Sequence, residues 1–374
     1  MATAAADGTV ADNPLGLDGF EFVEFTSPDP ESLARLFERL GFTHVATHRS
    51  KNVRRYAQGD INFILNAEPD GQPAEFRQRH GPSANALAFR VKDAAHAFRE
   101  AVRRGAEPVE GRVGPMELNI PAIRGIGGAY LYLVDRYGAA EIYDVDFRPV
   151  PGATKNDRSV GLKTIDHLTH NVAQGDLDRW ARFYERIFGF RELRFFDIRG
   201  RATGLFSKAM VAPDGKIRIP LNESQDEHSQ IAEFLRQYNG EGIQHVALAT
   251  DDILATVDAL RANGVRFQDT PDVYYDLLDR RLPGHGLDVA ALKARRILVD
   301  GAPETGGGLL LQIFTENMVG PIFFEIIQRM GNDGFGEGNF QALFESLELD
   351  QIRRGVIPAG LSRVPGLLPG AKRA

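Results

Sequence analysis

Two histidines and one glutamate in the second half of the chain form a set that could bind a metal ion. They are His167, His245 and Glu325, and each lies in a short apolar run typical of a strand. The chain contains no cysteine, so any metal ion must be held by nitrogen and oxygen ligands. Two imidazoles and one carboxylate leave further coordination positions free, an arrangement typical of non-haem ferrous oxygenases. The sequence therefore predicts an oxygen-activating iron site at these residues.

Each of these residues also has a simpler interpretation. A single histidine in a strand is more often packed or hydrogen-bonded than bound to a metal. Glu325 lies among phenylalanine and isoleucine residues, where a carboxylate needs a partner, and Arg329 could be that partner instead of a metal ion. His170 could compete with His167 as a ligand, but residues three apart on a strand point to opposite faces.

The elements that would carry these ligands occur twice along the chain. Residues 19–42 and 164–190 each read as a strand, a turn and an amphipathic helix ending at Gly-Phe. Residues 86–106 and 245–264 each read as a strand that enters a helix at an aspartate, with a glycine at the end of the helix. The carboxylates of these aspartates, Asp93 and Asp252, are expected to cap the helices.

A third pair of blocks, rich in strand-forming residues, completes the comparison. In it, residues 130–134 and 141–144 correspond to residues 310–314 and 322–325. The copies are joined around residues 148–163, a stretch in which proline, glycine, asparagine and aspartate indicate a linker. The chain is therefore predicted to be a tandem α+β repeat.

The two copies differ where the ligands lie. The alignment pairs the three ligands with residues that cannot chelate a metal together: Phe22 with His167, Ala86 with His245, and Asp144 with Glu325. The first copy, at 15–150, is thus expected to be a non-catalytic module, and the second, at 160–357, the catalytic iron-binding module.

Length and composition limit the kind of protein further. With 374 residues, 43% of them apolar and 25% charged, the chain has the composition of a folded protein and the length of two domains. Its net charge of −7, from 44 Lys and Arg against 51 Asp and Glu, disfavours a nucleic-acid partner. A signal peptide and an apolar run of the ~20 residues that span a membrane are both missing from the sequence. A cytoplasmic protein with no membrane partner is expected.

Seven stretches of the second half resemble one family. They are 165–172 (IDHLTHNV), 203–210 (TGLFSKAM), 217–223 (IRIPLNE), 242–247 (GIQHVA), 309–314 (LLLQIF), 323–329 (FFEIIQR) and 334–340 (GFGEGNF). In this order they are similar to the 4-hydroxyphenylpyruvate dioxygenases, which have two modules of the vicinal-oxygen-chelate fold. The N-terminal half shares only the general pattern. The resemblance implies curved mixed sheets that form an open barrel, with a C-terminal lid helix at 341–353.

The resemblance also implies a ligand set, a substrate and a pocket. It assigns one Fe(II) per chain to His167, His245 and Glu325, the same residues that the repeat indicates. Ten further residues are implied to bind the substrate: Ser207, Asn222, Gln230, Gln244, Gln312, Phe314, Phe335, Asn339, Phe340 and Phe344. The implied reaction converts 4-hydroxyphenylpyruvate and O2 to homogentisate and CO2 in the breakdown of tyrosine and phenylalanine. A homo-oligomer, either a tetramer or a dimer, is expected from the same resemblance.

Two other functions remain open. A 4-hydroxymandelate synthase would use the same substrate and metal but hydroxylate the benzylic carbon. Phe340 favours the ring-hydroxylating dioxygenase, because the matching residue is typically smaller and aliphatic in the synthases. A metal-free ligand-binding protein could use the same tandem modules, but it would have no need for two histidines and a glutamate in one copy.

Overall fold

A computed structural model of the chain contains two curved mixed β-sheets, one formed by each half. It describes residues 12–110, 114, 116–199, 204–227, 229–339 and 342. Within these ranges the first sheet has nine strands and the second has eight.

The first sheet is formed by the N-terminal half. Its strands are β1 (Leu17–Thr26), β2 (Thr43–His48), β3 (Val53–Gln58), β4 (Ile61–Asn66), β5 (Ser83–Val91), β6 (Pro108–Val109), β7 (Ala122–Arg124), β8 (Tyr130–Val134) and β9 (Phe147–Pro149). Its helices are α1 (Pro30–Arg39), α2 (Gly71–His80), α3 (Ala94–Arg103) and α4 (Tyr143–Asp146), with a 3₁₀ turn at Ile126–Gly128. The strands lie side by side in the order β6-β7-β8-β5-β1-β4-β3-β2-β9.

The second sheet is formed by the C-terminal half. Its strands are β10 (Leu162–Asn171), β11 (Arg191–Arg199), β12 (Gly204–Val211), β13 (Arg218–Glu223), β14 (Gly242–Thr250), β15 (Leu298–Gly301), β16 (Leu309–Phe314) and β17 (Phe323–Met330). Its helices are α5 (Leu177–Phe188), α6 (Gln230–Tyr238), α7 (Ile253–Ala262), α8 (Asp272–Asp276), α9 (Leu278–Arg281) and α10 (Val289–Arg295), with a 3₁₀ turn at Pro303–Thr305. The strand order is β11-β12-β13-β10-β14-β17-β16-β15.

Both sheets are built from one unit, a strand and a helix followed by three strands. The unit occurs as β1-α1-β2-β3-β4 and β5-α3-β6-β7-β8, and again as β10-α5-β11-β12-β13 and β14-α7-β15-β16-β17. The first strands of paired units lie antiparallel, and each also pairs in parallel with the last strand of its own unit. Each sheet curves into an open barrel, so the predicted tandem α+β fold is confirmed. The domain limits of 15–150 and 160–357 stay a prediction.

One addition distinguishes the second sheet from the first. The helices α8, α9 and α10 lie between α7 and β15, whereas only residues 104–107 separate α3 from β6 in the first half. This inserted helical segment, residues 272–295, contacts the edge strand β15, where the hydroxyl of Tyr274 bonds the backbone of Val299.

The aspartates predicted to cap helices do so. The carboxylate of Asp93 accepts a hydrogen bond from the backbone N–H of His96 at 2.8 Å, and Asp252 accepts one from Ala255 at 3.0 Å. Each cap satisfies a backbone donor that the first turn of a helix leaves unpaired. The strands before these helices, β5 and β14, therefore end at the same point in both halves.

The two halves share one hydrophobic core. Phe324 on β17 is fully buried, and its ring lies 6.4 Å from that of Phe25 and 5.9 Å from that of Phe63, both in the first half. The side chains of neighbouring residues on a strand point to opposite faces. Phe324 therefore faces the core between the halves, while its neighbour Glu325 faces the interior of the second barrel.

The C-terminal segment limits what can be said of the predicted lid. Apart from Ala342, the helix expected at 341–353 lies outside the described residues. Among the helices that the structure describes, none is long and apolar enough to cross a membrane.

His170 and His167 point to opposite faces of β10, as predicted. His170 is fully buried behind the sheet, with its Nε2 2.8 Å from the hydroxyl oxygen of Tyr184 on α5. Burial lowers the pKa of His170 to about 3, because the charged imidazolium is poorly solvated there. The histidine is therefore a neutral part of the core.

This buried imidazole makes stability sensitive to acid. Since its folded-state pKa lies below the ordinary value of 6.5, the unfolded chain binds the proton more strongly and stability falls as the pH drops below about 6.5. We expect His170→Gln to reduce the loss of unfolding free energy between pH 7 and pH 5 by about 2 kcal/mol. Urea denaturation at the two pH values measures this loss. The exposed His96→Gln variant serves as the control, and an unchanged pH dependence in His170→Gln would contradict the assignment.

Candidate metal centre

Three neighbouring strands bring the predicted ligands together. His167 on β10 and Glu325 on β17 both lie opposite Ala247 of the central strand β14, and His245 lies two residues earlier on β14. The Nε2 atoms of His167 and His245 are 3.2 and 3.3 Å from the same oxygen, Oε2 of Glu325. All three residues are buried, and their ligand atoms lie within 4.8 Å of one another. The sheet therefore gathers two nitrogens and one oxygen at a single point.

The far side of each imidazole ring is held by a hydrogen-bond acceptor. Nδ1 of His167 is 2.8 Å from Oδ1 of Asp166, and Nδ1 of His245 is 3.0 Å from Oε1 of Gln244. Because these acceptors require a proton on Nδ1, each Nε2 is the ring nitrogen directed at Glu325 and the one available to a metal ion. Two imidazoles with fixed tautomers and one carboxylate are a donor set that fits a divalent transition metal such as Fe(II).

Arg329 forms its ion pair with Asp166. Its Nε and Nη2 atoms each lie 2.8 Å from a carboxylate oxygen of Asp166. Burial raises the pKa of Asp166, but the hydrogen bonds from Arg329 and His167 outweigh burial and lower it overall. The alternative that Arg329 is the partner of Glu325 is therefore wrong, and Arg329 instead fixes the carboxylate that orients His167.

The charges of the ligands depend on one another. Burial alone would raise the pKa of Glu325, but the charges and hydrogen bonds of His167 and His245 lower it to about 2. Burial would lower the pKa of His167, but the carboxylates of Glu325 and Asp166 raise it to about 9. For His245, burial is the largest effect and lowers the pKa. A divalent cation between these atoms would replace the imidazolium proton of His167.

The first half carries the same strands without the ligands, with one correction to the alignment. Phe22 lies opposite Ala88, as His167 lies opposite Ala247, and Tyr132 on β8 occupies the register position of Glu325. The predicted counterpart of Glu325, Asp144, is wrong, because it lies in helix α4 beyond the strand. Several short strand-forming runs of similar composition follow α3, and the alignment chose the wrong one.

A cavity opens from the metal ligands between the strands of the second barrel. About 500 Å³ of empty space lies in it when the part open to solvent is included. Four of the predicted substrate-binding residues line it, namely Ser207, Asn222, Phe314 and Phe335. The sequence analysis missed six others: Thr169, Phe196, Leu205, Ala209, Pro220 and Glu337. Side chains alternate between the two faces of a strand, so Leu205 and Ala209, two residues before and after Ser207 on β12, could have been predicted to face the cavity with it.

The other predicted pocket residues lie elsewhere. Gln230 and Gln244 line a second cavity beside Phe323, whose ring stacks on that of His245 with centroids 4.8 Å apart. Gln312 and Asn339 lie behind Glu325, where the amide of Gln312 donates to Oε1 of Glu325 at 3.0 Å. The remaining two, Phe340 and Phe344, lie outside the described residues.

The glycine-rich segment after β17 passes close to these groups. A Cβ on Gly336 would lie 1.6 Å from Oε1 of Gln312, and a Cβ on Gly338 would lie 2.3 Å from Oδ1 of Asp300. Gly336 also has a φ of +78°, which side chains rarely adopt. Glycine at these positions lets the segment approach the back of the metal centre and place Phe335 at the cavity.

Comparisons with known proteins agree with this geometry. Residues 11–148 match the family described as "Hydroxyphenylpyruvate dioxygenase, HPPD, N-terminal". Residues 164–278 match the "Glyoxalase/Bleomycin resistance protein/Dioxygenase superfamily". The repeated unit and these two matches define a tandem protein of the glyoxalase and dioxygenase superfamily.

Individual relatives narrow this class. The chain is 61% identical over 348 residues to the 4-hydroxyphenylpyruvate dioxygenase of Pseudomonas aeruginosa, a match that covers 92% of this chain and 97% of that protein. It is also 61% identical over 350 residues to hemolysin VllY of Vibrio vulnificus, with 92% and 98% covered. The structure of a mutant 4-hydroxymandelate synthase from Streptomyces coelicolor matches with a TM-score of 0.77 at 27% identity, covering 90% and 99%. The chain belongs to the 4-hydroxyphenylpyruvate dioxygenase family and is an enzyme of the dioxygenase type.

The pair formed by Arg329 and Asp166 should be necessary for stability. Removing the guanidinium in Arg329→Met leaves the carboxylate of Asp166 with His167 and the more distant Arg218, whose Nη1 lies 3.7 Å away, so we expect the free energy of unfolding to fall by about 3 kcal/mol. Arg266→Met removes an ion pair with Glu316 whose side chains are 81% and 49% exposed, and should have little effect. Denaturant unfolding of both variants measures the difference. Equal losses in the two variants would show that burial of Asp166 is not the cause.

Proposed function

We propose that the chain binds one Fe(II) through His167, His245 and Glu325 and converts 4-hydroxyphenylpyruvate and O2 to homogentisate and CO2. The observation that carries this proposal is the convergence of both Nε2 atoms on Oε2 of Glu325 at the base of a cavity. Relatives at 50–61% identity that bear the name 4-hydroxyphenylpyruvate dioxygenase support the choice of substrate. We propose that this reaction is a step in the breakdown of tyrosine and phenylalanine.

The ligand set suits a reaction with an α-keto acid and dioxygen. When bound, ferrous iron supplies a Lewis acid and redox centre with open positions for the two substrates. His167, His245 and Glu325 occupy neighbouring positions because their three strands lie on one side of the site. The open positions therefore face the cavity, where a keto acid could enter.

The cavity walls fit the two ends of an aromatic keto acid. The ring of Phe335 lies 5.3 Å from that of His167, and the ring of Phe314 lies 6.3 Å from that of His245, both edge-on. These rings exclude water beside the metal and can pack on a phenol. Ser207 and Asn222 lie opposite each other on β12 and β13, so a hydroxyl and an amide are available to hydrogen-bond a polar group of the substrate.

Different observations distinguish the proposed dioxygenase from each of the two alternative functions. The residue that favours ring hydroxylation, Phe340, lies outside the described residues, so the products must decide between the dioxygenase and a 4-hydroxymandelate synthase. A metal-free binding protein is disfavoured because burying Glu325 without a metal serves no binding role. The first half shows that the same strands pack well with Phe22 and Tyr132, whose rings lie 5.7 Å apart.

Loss of one imidazole ligand should abolish iron binding and turnover. We expect His245→Ala to retain less than about one hundredth of the O2 uptake with 4-hydroxyphenylpyruvate, because two ligands hold Fe(II) poorly. His170→Gln changes a buried histidine outside the ligand set and is the matched control. Iron content and O2 uptake are measured for both variants. Turnover that survives His245→Ala would contradict the ligand assignment.

The products of the unaltered enzyme test the reaction itself. Incubation with Fe(II), O2 and 4-hydroxyphenylpyruvate, followed by chromatography, should give homogentisate as the main product. 4-Hydroxymandelate as the main product would replace the dioxygenase by the synthase. Iron binding without any product would instead favour a ligand-binding role.

A further inference from the structure

A chain of hydrogen bonds runs from the inserted helices to the back of Glu325. Nη2 of Arg281 donates to the hydroxyl oxygen of Tyr274 at 2.6 Å, and that hydroxyl lies 2.6 Å from Oδ1 of Asn339. Nδ2 of Asn339 donates to Oε1 of Gln312 at 2.8 Å, and Nε2 of Gln312 donates to Oε1 of Glu325 at 3.0 Å. Three side chains thus connect a half-buried cation to the buried carboxylate.

The direction of these bonds is fixed by the tyrosine hydroxyl. Its oxygen accepts from Arg281 and from the backbone N–H of Val299 at 2.8 Å, so its one hydrogen must be donated elsewhere. The carbonyl oxygen of Val299 lies 3.0 Å from the hydroxyl and already accepts from Arg281, whereas Oδ1 of Asn339 lies at 2.6 Å and is the better acceptor. Asn339 must then present its NH₂ group to Gln312, and Gln312 must present its own to Glu325. Every donor along the chain therefore points towards the carboxylate.

The last hydrogen bond of the series, from Gln312, determines which oxygen of Glu325 is free to bind a metal ion. Oε1 accepts the amide of Gln312, while Oε2 faces the Nε2 atoms of His167 and His245. A carboxylate with one oxygen held by a donor offers a single oxygen to a metal ion. A one-oxygen ligand keeps a further coordination position open, which the reaction of a keto acid with dioxygen requires.

The first two residues of this series of hydrogen bonds, Arg281 and Tyr274, belong to an element without a counterpart in the first half of the protein. Tyr274 lies in α8 and Arg281 in α9, both within the insertion at 272–295. The sheet of the first half forms without such an insertion, so the fold itself does not require it. The insertion occurs in the half that carries the metal ligands and reaches the carboxylate among them.

We propose that Tyr274 is a positioning residue that, through Asn339 and Gln312, holds Glu325 as a one-oxygen metal ligand. The proposal rests on the metal site of the proposed function. It also gives Gln312 a role behind the ligand in place of the substrate contact implied by resemblance. Arg281 assists by occupying the hydroxyl oxygen of Tyr274 as a donor, with its guanidinium carbon 5.0 Å from the centre of the tyrosine ring.

Cobalt binding by the metal-stripped full chain tests this role without turnover. Tyr274→Phe removes the hydroxyl and allows the amides of Asn339 and Gln312 to turn, so Oε1 of Glu325 loses the donor that fixes the orientation of the carboxylate. We expect the Kd for Co(II) alone to rise about tenfold or more, and the visible absorption bands of bound Co(II) to change. Tyr275→Phe is the matched control, because Tyr275 is equally buried in the same helix but is not part of the chain of bonds. It should keep the Kd within twofold and leave the spectrum unchanged.

A second pair of variants covers the case in which Tyr274→Phe does not fold, as judged by thermal unfolding. Asn339→Ala breaks the same chain in its middle and should produce the same changes in Kd and spectrum. Asn332→Ala is its control, because Asn332 lies in the same segment and bonds the backbone of Gly307 and Gly334 instead. Co(II) affinity and spectrum like those of the unaltered chain in Tyr274→Phe or Asn339→Ala would overturn the positioning role. Equal changes in the controls would also overturn it.

The proposed metal site is tested separately in the same experiment. Co(II) binding by the unaltered chain, and its loss in His245→Ala, would support that site. A chain that does not bind Co(II) at all would contradict the metal site, and with it the proposed function. Normal binding with no effect of Tyr274→Phe would contradict only the positioning role.

Discussion

The burial of one carboxylate is the constraint on which the structure of the C-terminal half depends. Glu325 is 2% exposed and lies in a strand whose neighbouring side chains, Phe324 and Ile326, are fully buried. An ion in such surroundings is tolerated only when other groups satisfy its charge and its hydrogen bonds. His167 and His245 meet one oxygen, and an amide meets the other. The adjacency of β10, β14 and β17, the close approach of the glycine-rich segment and the inserted helices all contribute to this arrangement.

The comparison of the two halves separates the scaffold from the chemistry. The same strand register occurs twice, yet Phe22 and Tyr132 fill the space that His167 and Glu325 fill in the other half. The first half forms its sheet without a buried ligand set, so the fold does not need one. The family's chemistry therefore depends on a few side chains placed on a backbone that is stable without them.

The sequence allowed two kinds of feature to be predicted: elements that occur twice, and residues of a distinctive type such as histidine. The tandem fold followed from blocks with the same order of strand, turn and helix, and the ligands from histidines present in only one copy. Contacts between distant strands could not be predicted in this way, such as that between Asp166 and Arg329, which are 163 residues apart. An amide on a strand, such as Gln312, has the same pattern whether it faces a cavity or a carboxylate.

The inserted helices were also beyond prediction from the sequence. Repeat comparison has nothing to align with an element that occurs once, so the link from Tyr274 to the carboxylate gave no signal. The displaced alignment of Asp144 has a related cause, since several short strand-like runs follow α3 and their residue pattern alone does not fix the register. Pattern alone identifies such strands more reliably than it assigns their partners.

The aromatic cluster between the halves gives the metal centre an influence beyond its own barrel. Phe324 packs on Phe25 and Phe63 of the first half. The next residue, Glu325, lies on the opposite face of the strand and contacts the two histidines. A metal ion that binds only the folded chain adds its binding free energy to the free energy of unfolding. Because the two faces of β17 belong to one strand, loss of either half's packing would disturb the other. The N-terminal half would thus share thermodynamically in metal binding at a site whose three candidate ligands all lie in the other half.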